Sequence, residues 1–477
     1  LTNRREVTMK KIILISGILT FLLLANTAIS KTVRVATTDA LGAISSQIEL
    51  AEKLYKKSGV KLDIDILPFN DLYAKLQTMC QVGNDEYDAM WVDGPWYGAF
   101  VDAGCFEDLS SLVKNNSDPN ELALDDFPIR TIAYQGVWDG KFYVIPQFHA
   151  VGMLTYRKDL LNDPKNKRDY KEKYGSELRV PQTWVEYVQV GTFFTRPEEE
   201  LWGFNHRYGS GNNIIADLLI GYAYSRDAQL FDENFNPTFD SENFKAAAEF
   251  FLSKKFLSMQ PPGAESFSFA EVIQNMQQGK VAMYLTENWA IPTLRDPNKT
   301  PYAKNIGYAR VPGWADPVSG KIKRGTMVGA GGYAINANSK NKKETFEFLQ
   351  FMLGKSLAPQ IADEQGWAIR TSVYTDPKFV KKYDYFPVNL SNVKISVARP
   401  GDPWWGEVEF TAGKELQSIL LGNKTVDKAM TDASASVRKI LTKYNYYKNN
   451  KKYLHPEQKE AEACQVMRSL RVRHPDC

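Results

Sequence analysis

The run AMWVDGPWYGAFVDAGCFEDL, residues 89–109, ends an apolar stretch with an acid and, three residues on, a tryptophan. Asp93 and Trp96 stand where a buried strand opens into a turn, a place where a core requires neither. A carboxylate accepts hydrogen bonds from hydroxyls and an indole covers an apolar C–H face, so the pair suits a polyhydroxylated solute. The structural alternative makes Asp93 a helix cap and Trp96 core beneath that helix. LTENW, residues 285–289, closes a second strand-to-loop turn with Glu287 and Trp289. Gly331 and Gly332, in GAGG, let backbone approach a ligand because no side chain intervenes. Trp404 and Trp405 follow Pro403 in an irregular segment, which predicts that one of them faces a cleft. Asp39 follows the first strand and joins this set.

Other chemistries find little support. No GK[ST] follows the glycines, as a phosphate cradle requires, and no GxSxG marks a nucleophile. The four histidines show no metal-ligand spacing and there is no CxxC, so neither metal nor cofactor is expected. Asp93 and Glu287 could flank a glycosidic bond as a secreted glycosidase requires, but nothing in the sequence marks either as a proton-holding acid.

The elements that must position these residues follow from periodicity. Residues 31–37 and 61–67 alternate as strands, 45–58 and 71–80 fit helices, and 87–92 is a third strand. Strand, helix, strand, helix, strand predicts a parallel sheet, with ligands beyond the C-terminal strand ends. Asp39, Asp93 and Trp96 occupy such ends. Further on, strands are expected at 143–146, 153–157, 280–285 and 326–335. Helices are expected at 184–194, 217–224, 241–254, 269–278, 342–353, 409–421 and 426–444. From residue 446 a polar tail is expected to wrap the surface or fray. No internal repeat or low-complexity linker appears, so the chain is expected to cross between two lobes more than once.

At 477 residues, with 43% apolar and 24% charged side chains, the composition is that of a folded globular chain with more than one core. Lys10-Lys11, an apolar run and small residues before Lys31 read as a signal peptide, residues 1–30, without a cysteine for a lipid anchor. The remainder is read as a soluble periplasmic monomer. Those first residues carry the whole +3 net charge, which leaves no basic face for nucleic acid. Four cysteines, Cys80, Cys105, Cys464 and Cys477, allow three pairings; proximity favours Cys80–Cys105 and Cys464–Cys477.

Several motifs align with one family. They are residues 87–110 (YDAMWVDGPWYGAFVDAGCFEDLS), 139–148 (DGKFYVIPQF), 155–161 (TYRKDLL) and 181–187 (PQTWVEY). QGKVAMYLTENWA at 278–290, GAGGYAINANSKNKKETFEFLQFML at 329–353 and GNKTVDKAM at 422–430 follow in order. The chain resembles the extracellular solute-binding proteins of ABC importers, in particular the sugar-binding group that includes maltose-binding protein. The resemblance implies an α/β periplasmic-binding-protein-like fold, two lobes around a ligand cleft with three hinge crossovers, near 146–149, 309–312 and 335–338. The first lobe would combine 31–146 with 311–336, and the second 147–310 with 337–445, leaving 446–477 as a tail without counterpart. It implies a non-catalytic protein that hands a carbohydrate to ABC permease subunits, with a polyamine or glycerol phosphate as the alternative solute. It also adds Gln147 and His149 at the first crossing, and Trp367 and Arg370 where the family turns back toward its site; Arg370 reads equally as a structural ion-pair partner. Acid and aromatic positions that repeat along the groove of maltose-binding relatives are not all matched; Tyr97 and Glu409 stand near such places.

Overall fold

The opening alternation of strand and helix folds into a parallel unit of β1 (Lys31–Thr38), β2 (Val60–Leu67) and β3 (Ala89–Asp93), with β1 in the middle. The computed structural model describes residues 31–39, 43–56, 59–209, 211–449 and 452–477; the expected leader lies outside the described residues. Helix Phe69–Val82 buries Leu72, Leu76 and Met79, a stripe at helical spacing, and ends on Gly83 in the left-handed conformation.

Further strands are β4 (Val144–Arg157), β5 (Trp202–Asn205) and β6 (Val281–Glu287). They are followed by β7 (Ile306–Ala309), β8 (Thr326–Ile335) and β9 (Ser396–Ala398). The nine strands form one sheet in the order β2-β1-β3-β8-β4-β6-β5, with β9 against β8 and β7 against β4.

Two of these strands change partners midway. β4 lies antiparallel to β8 from Val144 to Val151, then pairs β6 from Gly152 and β7 from Leu154. β8 begins beside β9 at Thr326 and ends beside β3 from Gly331 to Ile335. The two short strands expected at 143–146 and 153–157 are therefore one 14-residue strand. The stretch between them stays extended because its backbone keeps pairing with β8 while its side chains are buried.

Two large cores lie on either side of this shared region. Val35, Ile48, Leu76, Met90 and Tyr333 belong to the first. Trp184, Tyr187, Phe204, Tyr222, Leu416 and Val437 belong to the second. A smaller cluster around Met276, Tyr284, Tyr374 and Phe386 covers β6 and β7. Helix Lys342–Leu353 buries Phe346, Phe348, Leu349 and Met352 in the first core, not with the second lobe where the sequence division put it. The turn before it explains this: Asn336 Nδ2 donates to the Tyr87 carbonyl at 2.9 Å and Ser339 Oγ to Asp88 at 2.5 Å, holding the chain on the β3 side.

The tail corrects another expectation. Helix Pro456–Ser469 does not fray; Ala463, Cys464, Val466 and Met467 enter the first core. Disulfides join Cys80 to Cys105 and Cys464 to Cys477, with Cα atoms 5.5 Å apart in each. The first closes a 25-residue separation, for which chain entropy gives a stabilisation of about 3.5 kcal/mol. Replacing Cys80 and Cys105 together by alanine should lower the urea unfolding free energy by about that amount. An unchanged midpoint in non-reducing urea melts would show that this link constrains nothing.

Candidate functional site

β3 carries Trp91 and Asp93 two residues apart, so both project from one face of the sheet. The neighbouring β8 offers Gly331 opposite Asp93, and a Cβ there would stand 2.4 Å from the Trp91 indole. The glycine thus makes room for Trp91 rather than for a ligand. Beyond Asp93 the chain turns through Gly94–Trp96. The Trp96 ring ends 4.8 Å from Phe69 and 4.9 Å from Tyr73, behind the face that Trp91 and Asp93 present.

The Asp93 carboxylate receives Arg399 Nη2 at 3.3 Å, and Arg399 Nη1 reaches Glu409 Oε1 at 3.4 Å. Arg399 directly follows β9, and Glu409 lies in the first turns of helix Trp405–Leu420. A second cluster stands at the end of β6. Glu287 Oε2 accepts from Trp289 Nε1 at 3.0 Å and from Arg207 Nη1 at 3.3 Å. Arg207 also binds Asp217 through its side chain and its backbone amide. Its guanidinium lies 4.1 Å from the Phe269 ring centre.

Asp93, Arg399, Glu409, Arg207 and Glu287 line one cavity of about 340 Å³. Phe69, Trp91, Phe148, Phe269 and Trp289 supply its aromatic walls. Trp91 Nε1 is buried and makes no hydrogen bond among the described contacts, while the residue lines the cavity. Trp289, in the turn that follows β6, packs against the first core, so the walls are drawn from both sides of the shared strands. Among the described residues no cluster of three or more His, Cys, Asp or Glu side chains is placed to hold a metal ion.

Of the residues singled out in the sequence, Asp93, Glu287 and Trp289 meet in this cavity. The others are placed elsewhere. Asp39 is exposed and outside the lining. Gly332 abuts the Ile145 carbonyl, where a Cβ would be 2.4 Å away, so strand packing accounts for it. Gln147 is buried, donating to Gln47 at 3.1 Å. His149 is fully buried against the Tyr374 hydroxyl at 2.5 Å, and burial pushes its imidazole down to about 3. Trp367 stacks on Phe148 with centroids 4.8 Å apart and so supports a cavity wall from behind. Arg370 donates to the carbonyls of Leu122, Ala123 and Leu353, tying loops together in the interior.

Trp404 and Trp405 both lie in the second core at 0% exposure. The expectation that one would face the cleft fails because Phe231, Phe235 and Tyr446 surround Trp404, leaving it no route outward. Sequence reasoning missed Trp91, although its two-residue spacing from Asp93 puts it on the same strand face. It also missed Arg207, Phe69, Phe148 and Phe269, which carry no local signal.

Two α/β halves that share strands and enclose a solute-sized cleft define a periplasmic-binding type of protein. The chain matches the family of bacterial extracellular solute-binding proteins over residues 43–358, and it belongs to that family. It is 25% identical over 438 residues to a binding protein of Brucella abortus, covering 89% of this chain and 97% of the relative. The mannitol-binding protein of Pseudomonas aeruginosa is 24% identical over 428 residues, 84% of this chain and 92% of the relative. A solute-binding protein of Agrobacterium radiobacter K84, solved with ribitol, has the same fold: TM-score 0.71, 24% identity, 86% of this chain and 98% of that one.

Burial pushes Asp93 up to about 6, with Arg399 opposing the shift and Glu409 adding to it. The folded protein therefore binds this proton more tightly than the unfolded chain, whose carboxyl titrates near 4. Ionised Asp93 costs stability above about pH 6, and the cost fades as pH falls from about 6 to about 4. Asp93→Asn should accordingly raise the ligand-free Tm by a few degrees at pH 7.5, with the gap closing at pH 4.5. Thermal melts that show the same gap at both pH values contradict this assignment.

Proposed function

We propose that the protein is the periplasmic component of an ABC importer, exported by its leader as a monomer. It captures one small neutral carbohydrate, a sugar alcohol or monosaccharide, and delivers it to membrane permease subunits without altering it. The observation that carries this reading is the pairing of aromatic walls with acids that arginines already engage. Rings cover the C–H faces of a polyol, while Asp93, Glu287 and Glu409 accept from its hydroxyls. The volume of about 340 Å³ stands at the small end of the usual ligand-pocket range of about 300–1,000 Å³.

The charge arrangement argues against the other solutes. A polyamine needs acids without partners, and here Arg399 and Arg207 sit among them. A glycerol phosphate needs free guanidinium groups, and both are engaged by carboxylates. The mannitol-binding relative and the ribitol-bound structure support the polyol class. A solute touching walls from both halves favours their approach only by the contacts it makes in that state and loses in the open one.

Calorimetric titration of D-mannitol, ribitol, glucose and maltose into the protein tests the reading. At least one of the first three should bind at micromolar Kd. Asp93→Asn should weaken that binding about 10- to 100-fold, the worth of a hydrogen bond to a charged group. Trp289→Ala should weaken it at least about tenfold through lost ring contact. Tight binding of putrescine or glycerol 3-phosphate with no response to any sugar would overturn the proposed solute class.

A further inference from the structure

A second cavity, of about 320 Å³, shares Arg399 with the cleft. Tyr97 and Trp138 come to it from the side of the first core, and Tyr134 and Phe235 from the second core. Tyr453, Lys459 and Glu462 come from the C-terminal segment, beyond the family match that ends at residue 358. That segment is fastened at both ends: the Tyr453 amide donates to the Glu233 carbonyl at 3.1 Å, and Glu460 pairs with Arg130. Its helix then seats in the first core. The segment therefore bridges the two halves and completes a space that neither half encloses alone.

Polar atoms around this space lack hydrogen-bond partners. Arg399 Nε, Glu462 Oε2 and the Tyr97 hydroxyl are all buried and make no hydrogen bond among the described contacts. Glu462 Oε1 accepts from the Gly140 amide at 2.9 Å, and Oε2 forms a long ion pair with the Lys459 ammonium at 4.0 Å. Arginine, lysine, carboxylate and phenol side chains set beside aromatic rings match a molecule that both gives and takes hydrogen bonds. The lining holds three basic and three acidic side chains, so no net charge selects an ion.

We propose that this cavity is a second binding site, for one small uncharged polyhydroxylated molecule, coupled to the cleft through Arg399. The inference rests on the solute-binding reading for its choice of probe. An occupant packed against Arg399 restrains the guanidinium whose terminal nitrogens hold Asp93 and Glu409 at 3.3 and 3.4 Å. Linkage makes the effect mutual: each occupant changes the affinity of the other by the same factor.

The test is calorimetric titration, to millimolar concentration, of ribitol, D-mannitol and glucose into the full chain and three variants. Variants Trp138→Ala and Glu462→Gln alter the second cavity, and Trp289→Ala alters the cleft. The expected result is two molecules per chain. The weaker event should vanish in Trp138→Ala or Glu462→Gln while the tighter Kd shifts about 3- to 10-fold. Trp289→Ala should lose the tighter event and keep the weaker. A single event lost only in Trp289→Ala overturns the second site and leaves the cleft reading intact. A single event lost only in the second-cavity variants supports the second site and overturns the cleft reading. A second event that survives in both Trp138→Ala and Glu462→Gln, or the absence of any binding, overturns the proposal.

Discussion

Arg399 joins Asp93 at the end of β3 to Glu409 on helix Trp405–Leu420, while Arg207 joins Asp217 to Glu287 at the end of β6. Largely buried ions are held by pairing: an arginine left with no acid at all would cost about 3–5 kcal/mol, whereas each arginine here keeps one acid if the other is lost. Each arginine therefore dictates where its two acids stand, and the acids dictate where the strands that carry them must end. The cavity inherits a rigid polar rim whose charges are settled before any solute arrives. Such a rim recognises hydroxyls by direction, with little side-chain ordering left to do on binding.

The sheet turns that local constraint into a mechanical one. Because β4 and β8 each run through both halves, any movement of one half against the other would have to bend two continuous strands at their changes of partner. Asp93 and Arg399 lie on opposite sides of that region, so their ion pair spans it. The C-terminal helix, seated in the first core while its approach is bonded to Glu233, adds a tether outside the sheet. Both are links that any separation of the halves would have to break or stretch.

Much of this was legible before any coordinates. Two-residue alternation in β1 and β2, and helical spacing between them, announce the parallel unit, because each period fixes a buried face. Asp93, Glu287 and Trp289 could be found because each sits where an apolar strand stops at a residue that a core does not need. The same rule failed at Trp404 and Trp405: adjacent large rings after a proline resemble a cleft edge, yet both pack inward. Arg370 read equally as a ligand contact or a structural ion-pair partner, and it is the latter: its guanidinium stands 3.8 Å from the Asp126 carboxylate and donates to the carbonyls of Leu122, Ala123 and Leu353. Arg207 and Arg399 became site residues only through partners up to 306 positions distant, a relation that no local pattern encodes. The Trp138 cavity escaped for the same reason, since the polar tail carried too few apolar residues to predict its seat in the first core.

The most direct measurement is native mass spectrometry of freshly purified protein that has met no added sugar. The account predicts a neutral adduct with the mass of one or two small sugars or sugar alcohols, shed when the halves are loosened by mild denaturant. An adduct with the mass of a polyamine or an organic phosphate would contradict the claim that paired arginines and acids shape this cleft for an uncharged guest.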